Sequence, residues 1–432
     1  MSPTLQHRVA VATQGGRVVS RRDFIGNAAA AASLAGSAPW WETLCASADE
    51  LRTRRKACIL LWMQGGPSQF ETFSPKPQHP NGGGVKALST NVPGIEVSAN
   101  FPRCAEIANR LAIVRSLASK EGNHQRATYL LHHGHLPMAS VQHPTLGANA
   151  ARHLGDASRH LPNYVRIGGP LANAGAGGML GVQYDPLVLG SARRPPENTR
   201  PPVEGERFER RLRLMADLQA NAATGDEASA ADHPRLVAKA AEMIFSPDMD
   251  AFDIGRETEA VREAYGESEF AAGCLMARRL IERGVTFVEV VHRGWDTHLD
   301  NFAKSSELAA EVDQPMAQLV VDLEARGLLD STLVVWMGEF GRTPRINPRG
   351  GRDHYPRAFN GVLAGAGIRG GQVVGATDPS GSEVVERPVT VNDLFRSVYH
   401  ALGVNADHEN VSRIGRPIKL VDGGEVVREL FS

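Results

Sequence analysis

Cysteine is nearly absent from this chain, with four among 432 residues. None stands in a C-x-x-C pair, which argues against thiolate zinc sites and redox pairs of that spacing. Cys45 falls in an N-terminal segment treated below as removable, and Cys58, Cys104 and Cys274 then allow one disulfide with a thiol left over. Read singly, each of the three is a small buried hydrophobe. An excess of one charge is also missing, since Lys+Arg 47 against Asp+Glu 48 leave a net charge of -1. With no basic stripe, the chain argues against a nucleic-acid partner held by phosphate neutralisation. No apolar run approaches the roughly 20 residues that span a bilayer. Heptads and internal repeats are lacking too.

What is present is enough apolar residue for a sizeable core, 42% of the chain, which excludes a disordered tail or a disulfide-stapled miniprotein. The length allows up to three domains, or one large α/β sheet. The first 48 residues read differently from the rest. Ser20-Arg21-Arg22-Asp23-Phe24-Ile25 is a twin-arginine core, an Ala-rich run follows from Ala28 to Ala38, and Ala46-Ser47-Ala48 offers an A-x-A cleavage site. The competing reading is a frayed amphipathic helix. Cleavage after Ala48 removes four arginines against Asp23 and Glu42, taking the charge from -1 to -3. The expectation is export to the periplasm or beyond, and a single mature domain over residues 49–432 with no transmembrane segment.

Three short apolar runs each stop at a glycine-containing turn. Ala57 to Met63 ends at Gln64-Gly65-Gly66-Pro67, Val285 to Val291 ends near Arg293-Gly294-Trp295, and Thr332 to Met337 ends at Gly338-Glu339-Phe340-Gly341. Such runs suit buried strands of a mostly parallel sheet covered by helices. Between the second and third, Leu308, Val312, Met316, Leu319, Val320 and Leu323 recur at helical spacing over about 301–326, which makes a strand-helix-strand crossover. From about Ser191 to His233 the composition shifts to Arg, Pro, Glu, Asn and Ala, as in a surface insertion with its own helix near Arg207 to Asn221.

In open α/β sheets the ligand lies beyond the carboxyl ends of the strands, so the residues after each run were read for chemistry. Asp296-x-His298 can clamp a divalent ion, or equally form a turn in which the Asp caps the next helix. Glu339 follows the third run, and Asp353-His354 follows a Gly-rich loop. An N/O donor set without thiolate suits zinc or another transition metal better than magnesium or calcium. On the same loops, Arg293, Arg342 and Arg352 could grip a phosphate or sulfate, or serve as surface and ion-pair residues. Ser68 and Thr72 sit where a nucleophile could stand, although turn and cap bonding is the plainer role, and no G-x-S-x-G elbow is present. Gln69 on that turn is a candidate substrate contact. Of the five histidines between His124 and His143, His124 alone is singled out, as a substrate or outer contact.

The motifs Ile59 to Gln69, Pro75-Lys76-Pro77, Trp295-Asp296-Thr297-His298, Gly338 to Pro344 and Gly351 to Pro356 resemble the family called domain of unknown function 1501. Its members are typically exported bacterial proteins with twin-arginine signals, abundant in planctomycetes. That family is similar to the alkaline phosphatase and sulfatase superfamily, which implies an alkaline-phosphatase-like α/β sandwich with a metal site at the strand ends. Carried over, the resemblance implies metal roles for Asp296, His298, Glu339 and His354. Gln64-Gly65-Gly66 replaces the superfamily's first-strand aspartate, and Phe340 replaces the histidine of its Asp-His pair, so one metal is implied rather than two. None of Cys58, Cys104 and Cys274 begins the sulfatase Cys-x-Pro-x-Arg motif. The implied activity is hydrolysis of a phosphate or sulfate ester on a small molecule or glycan. The alternative is a non-catalytic binding or scaffold protein, since family members often accompany large membrane-associated or cytochrome-like protein partners.

Overall fold

Seven consecutive residues, Ala57–Met63, are buried in the first strand of the main sheet, β1. Their alternation sends Ile59, Leu61 and Met63 into one apolar cluster and Cys58, Leu60 and Trp62 into another on the opposite face. A strand buried on both faces belongs inside a layered sheet. The computed structural model describes residues 11–12, 18–19, 55–197, 199, 206–221, 227–412 and 414–431. Within Met1–Arg54, a unit of its own, Val11–Ala12 pairs antiparallel with Val18–Val19. The twin-arginine core and the A-x-A site lie outside the described residues.

In the Arg55–Ser432 unit, the strands after β1 are β2 (Ala112–Ala118), β3 (Tyr164–Ile167), β4 (Leu187–Leu189) and β5 (Phe287–His292). They continue as β6 (Thr332–Met337), β7 (Phe359–Ala364), β8 (Gln372–Val374) and β9 (Val389–Thr390). The spatial order is β8-β2-β7-β6-β1-β5-β3-β4, with β9 also on β2. Within this sheet every strand runs parallel except β7. This mostly parallel sheet between helices is the α/β architecture expected from the sequence.

Helices cover both faces. Glu269–Glu282 (α1) and Asn301–Ala325 (α2) pack on the Ile59 face, while Val391–Leu402 (α3) packs on the Leu60 face. The α2 crossover joins β5 to β6 across β1, as the periodicity between Leu308 and Leu323 predicts. The helix expected in the insertion spans Glu206–Asn221, and a second helix, Glu227–Phe245, runs past the expected boundary at His233. Cys58, Cys104 and Cys274 are all free and buried.

A polar network lies within the core beside β5. Glu289 on β5 accepts from Tyr164 at 2.8 Å and from Arg166 at 2.7 Å, and contacts His132 at 2.9 Å. All four side chains are buried. Burial alone would raise the Glu289 carboxyl, but Arg166 and His132 outweigh it and bring the pKa from 4.5 down to about 2. The folded value lies below the unfolded one, so the stabilisation is complete above about pH 4.5 and is lost as pH falls towards 2. We expect this group to account for about 3 kcal/mol of acid destabilisation. Glu289→Gln should cost about 3 kcal/mol at pH 7 by leaving Arg166 uncompensated, and should remove that part of the acid sensitivity. Urea unfolding at pH 7 and pH 3 checks both.

Candidate metal centre

Because β7 runs against its neighbours, the carboxyl ends of β1, β2, β5 and β6 share an edge with the start of β7. The chain segments that meet there are the turn after β1, the start of helix His124–His133, the loop with Asp296 and His298, Glu339 just past β6, and His354 just before β7. Gly65 brings the turn after β1 close to the loop after β5. Its φ is +115°, and a Cβ there would lie 2.4 Å from the Asp296 backbone nitrogen. The Gly65 N–H donates to Glu339 Oε1 at 3.0 Å.

Arg342, with no exposed surface, binds these loops together. Nε donates to Gly66 O at 2.9 Å, Nη1 to Arg352 O at 3.3 Å, and Nη2 to Gly65 O, to Trp295 O at 3.2 Å and to Asp296 Oδ1 at 2.6 Å. Gln69, buried, grips the same residue through its backbone, accepting from Arg342 N at 2.9 Å and donating to Arg342 O at 2.8 Å.

Three imidazoles converge on Asp296. His124 Nε2, His298 Nε2 and His354 Nε2 stand 3.3, 3.1 and 3.3 Å from its Oδ1. Each ring is pinned through its other nitrogen. His124 Nδ1 meets Glu339 Oε1 at 2.7 Å, His298 Nδ1 meets Asp353 Oδ1 at 2.9 Å, and His354 Nδ1 meets Gly122 O at 2.9 Å. Carboxylates and carbonyls only accept, so Nδ1 carries a proton in each ring and Nε2 is the nitrogen turned towards the Asp296 oxygen. His298 Nε2 and His354 Nε2 face each other at 3.0 Å. With a proton already on each Nδ1, this pair of nitrogens needs a further proton or a metal ion between them.

The donor set fits a metal ion. Donor atoms of His124, Asp296 and His354 lie within 4.8 Å of one another, and zinc bonds of about 2.0–2.1 Å imply donor spacings of about 3.3 Å in a tetrahedron. His124 Nε2 is buried, with the Asp296 Oδ1 atom 3.3 Å away and no well-formed hydrogen bond. The hydrogen-bonded Nδ1 atoms are the outer support that metal-binding histidines need. The side chains of His124, His298, His354 and Asp296 keep 32%, 32%, 26% and 47% of their surface exposed, leaving one side open. The electrostatics favour positive charge here. Burial works against protonated His124, yet Asp296 and Glu339 outweigh it and lift its pKa to about 9. Burial also works against charged Asp296, yet His124, His354 and Arg342 hold it far below the usual carboxylate range.

The sequence-derived candidates thus separate. Asp296, His298 and His354 aim donors inward, Glu339 and Asp353 stand behind the imidazoles, and His124 joins the donors rather than the periphery. Local pattern gave no sign of this, because His124 follows β2, whose apolar run is broken by Arg115. Arg352 is fully buried, and its N–H groups go to Glu71 Oε1 and to the carbonyls of Asn81, Thr343 and Pro344. None is left for an anion in the cluster. Arg293 is exposed and donates to Gln64, to Gly168 O at 3.0 Å and to Pro170 O at 2.8 Å. Ser68 and Thr72 are buried, with Thr72 Oγ1 donating to Ser68 O at 2.8 Å. No hydrogen bond connects either hydroxyl to the cluster.

The chain matches the family described as "Protein of unknown function (DUF1501)" over residues 55–431. No curated protein matches it. Among solved structures, it is similar to Ps i-CgsB in complex with k-i-k-neocarrahexaose, at 12% identity over 81% of this chain and 72% of that one, TM-score 0.40. It is similar to the PsFucS1 sulfatase from Pseudoalteromonas sp., at 16% identity over 92% and 80%, TM-score 0.37. The phosphonate monoester hydrolase of Agrobacterium radiobacter aligns at 14% identity over 87% and 77%, TM-score 0.36.

Gly65 tests how tightly the cluster is held. A side chain there meets backbone at a positive φ, so Gly65→Ala should destabilise the protein by about 2–4 kcal/mol. Differential scanning calorimetry should show a clear fall in Tm, whereas Gly84→Ala, with nothing within 4 Å of the added Cβ, should show a smaller one.

Proposed function

The chain belongs to the DUF1501 family, and from that premise we propose that it is an exported, metal-dependent hydrolase of phosphate or sulfate esters. The observation that carries this reading is the convergence of the His124, His298 and His354 Nε2 atoms on Asp296 Oδ1, with one side open. In this reading residues 1–48 are a twin-arginine export signal, and 49–432 are one domain whose insertion covers about 191–233. No helix among the described residues is long and apolar enough to cross a membrane.

Asp296, His124, His298 and His354 would hold one divalent transition ion, zinc by the donor chemistry. Such an ion, when bound, supplies Lewis acidity for an ester oxyanion and lowers the pKa of water. Glu339 and Asp353 keep the His124 and His298 rings in the tautomer that presents Nε2. Arg342 neutralises Asp296 and fixes its direction. Exposed Arg293 is the guanidinium on these loops available to an incoming anion, and Arg352, through Glu71, steadies the loop that carries His354.

A second reading, a binding or scaffold protein on the same fold, draws on one observation. Thr72 is spent in its turn, and the Ser68 hydroxyl is buried with no hydrogen-bond partner, so the hydrolase reading takes its nucleophile from water.

Metal content by mass spectrometry on protein purified without chelator tests the proposal. The wild type should hold close to one transition ion per chain, and His298→Ala with His354→Ala should lose it. Asp353→Asn should weaken metal affinity by about tenfold. Hydrolysis of p-nitrophenyl phosphate or sulfate should follow metal content. Metal-free protein in both forms overturns the hydrolase, and bound metal without turnover of any ester favours the scaffold.

A further inference from the structure

Beyond the carboxyl ends of β3, β4 and β5 lies a cavity of about 340 Å³ that the histidine cluster does not use. Gly168, Ser191, Phe270, His292, Arg293 and Glu311 are among its lining residues. Its volume falls at the lower end of the range for small-ligand pockets.

A hydrogen-bond chain from the core organises its wall. Trp295, fully buried, donates its indole N–H to His292 Nδ1 at 2.9 Å. An indole nitrogen can only donate, so Nδ1 is the bare nitrogen and Nε2 bears the proton. That Nε2–H donates to Glu311 Oε2 at 3.1 Å. The His292 ring is itself fixed edge-on against Phe270 at 5.1 Å.

Glu311 is therefore aimed but not neutralised. Glu269 on the same wall takes Ser191 Oγ at 2.8 Å and Arg193 at 3.1 Å. Arg293 turns Nη1 to Gln64 and Nη2 to Gly168 O and Pro170 O, and makes no ion pair with Glu311. The Glu311 side chain, 56% exposed, faces a neutral imidazole and leaves acceptor capacity towards the cavity. A solvated surface glutamate needs no buried indole and imidazole behind it.

We propose that this cavity is a subsite for a hexose-sized polyol or amino-polyol, recognised through its hydroxyl or ammonium donors by Glu311. Its role as the place for the alcohol half of an ester rests on the hydrolase reading above. The geometry allows that role, because Arg293 and Asp296 are three residues apart, at most roughly 11 Å along the chain. Trp295 also touches both places, since its carbonyl accepts from Arg342 at 3.2 Å.

Ligand-observed NMR on the full protein, with glucosamine, glucose and glucuronate as probes, reads this binding without turnover. Glucosamine and glucose should bind saturably, and glucuronate about tenfold more weakly through repulsion by Glu311. Glu311→Gln should weaken glucosamine about tenfold and close the gap to glucuronate. Ser191→Trp, which fills the cavity, should abolish binding of all three with its melting transition retained. No saturable binding of glucose or glucosamine, equal affinity for glucuronate, or an unchanged Glu311→Gln overturns the proposal. The His298→Ala, His354→Ala protein should bind the sugars as the wild type does. Lost metal dependence with retained sugar binding counts against the hydrolase alone, and bound metal without sugar binding counts against the subsite alone.

Discussion

The loops at the carboxyl edge depend on one buried cation. Arg342 has no exposed surface, and its guanidinium reaches the turn after β1, the loop after β5, the Arg352 carbonyl and the Asp296 carboxylate. An unpaired guanidinium at that depth would be strongly unfavourable. Its partners are therefore constrained together. Gly65 must remain a glycine to let the β1 turn approach, and Gln69 must hold the Arg342 backbone from the other side. Asp296 owes both its charge and its direction to this arrangement, so the cluster is a consequence of the hub as much as of its own histidines.

Two charged networks lie in this sheet, and their difference separates structure from chemistry. The Glu289 carboxylate is closed off, with Arg166, Tyr164 and His132 using its lone pairs and no surface left to water. It is a satisfied network, which fixes β3 and β5 against the His124–His133 helix. Around Asp296 the balance is the reverse. Three imidazole Nε2 atoms crowd one carboxylate oxygen, one of them has no hydrogen-bond partner, and solvent reaches one side. A fold gains little in stability from imidazole nitrogens turned on one another. Their arrangement is explained by a cation, held or exchanged.

Much of this frame was legible in the sequence. Continuous apolar runs ending in glycine turns marked β1, β5 and β6, and the three-and-four spacing from Leu308 to Leu323 marked the crossover helix, because burial on both faces and on one face leave those signatures. Asp296, His298 and His354 were legible for a related reason: each follows or precedes a central strand at the edge where ligands bind. What sequence could not show was where donors are spent. Arg352 reads as a free cation beside a histidine, yet Glu71 and Asn81, far away in the chain, take its hydrogen bonds. His124 reads as one histidine of a crowded stretch, and only the pairing of β2 with β7 brings it to Glu339. Gln69 looks like a contact on a turn until its amide is seen closed on the Arg342 backbone.

Phe340 carries the argument about how many ions such a site would hold. In this chain the phenyl ring is buried, 4.8 Å from His124 and 4.6 Å from His354 between ring centres, with Gly66 pressed against it. An aromatic ring offers no lone pair to a metal, and it occupies the volume a second set of donors would need. Glu339, freed from coordination, turns to the Gly65 N–H and the His124 ring. Among the described residues one His and Asp group alone has donors within reach of a shared ion. Phe340 thus gives this edge packing rather than a further ligand, and in the hydrolase reading the chemistry here would run on one metal, with charge compensation left to Arg342 and Arg293.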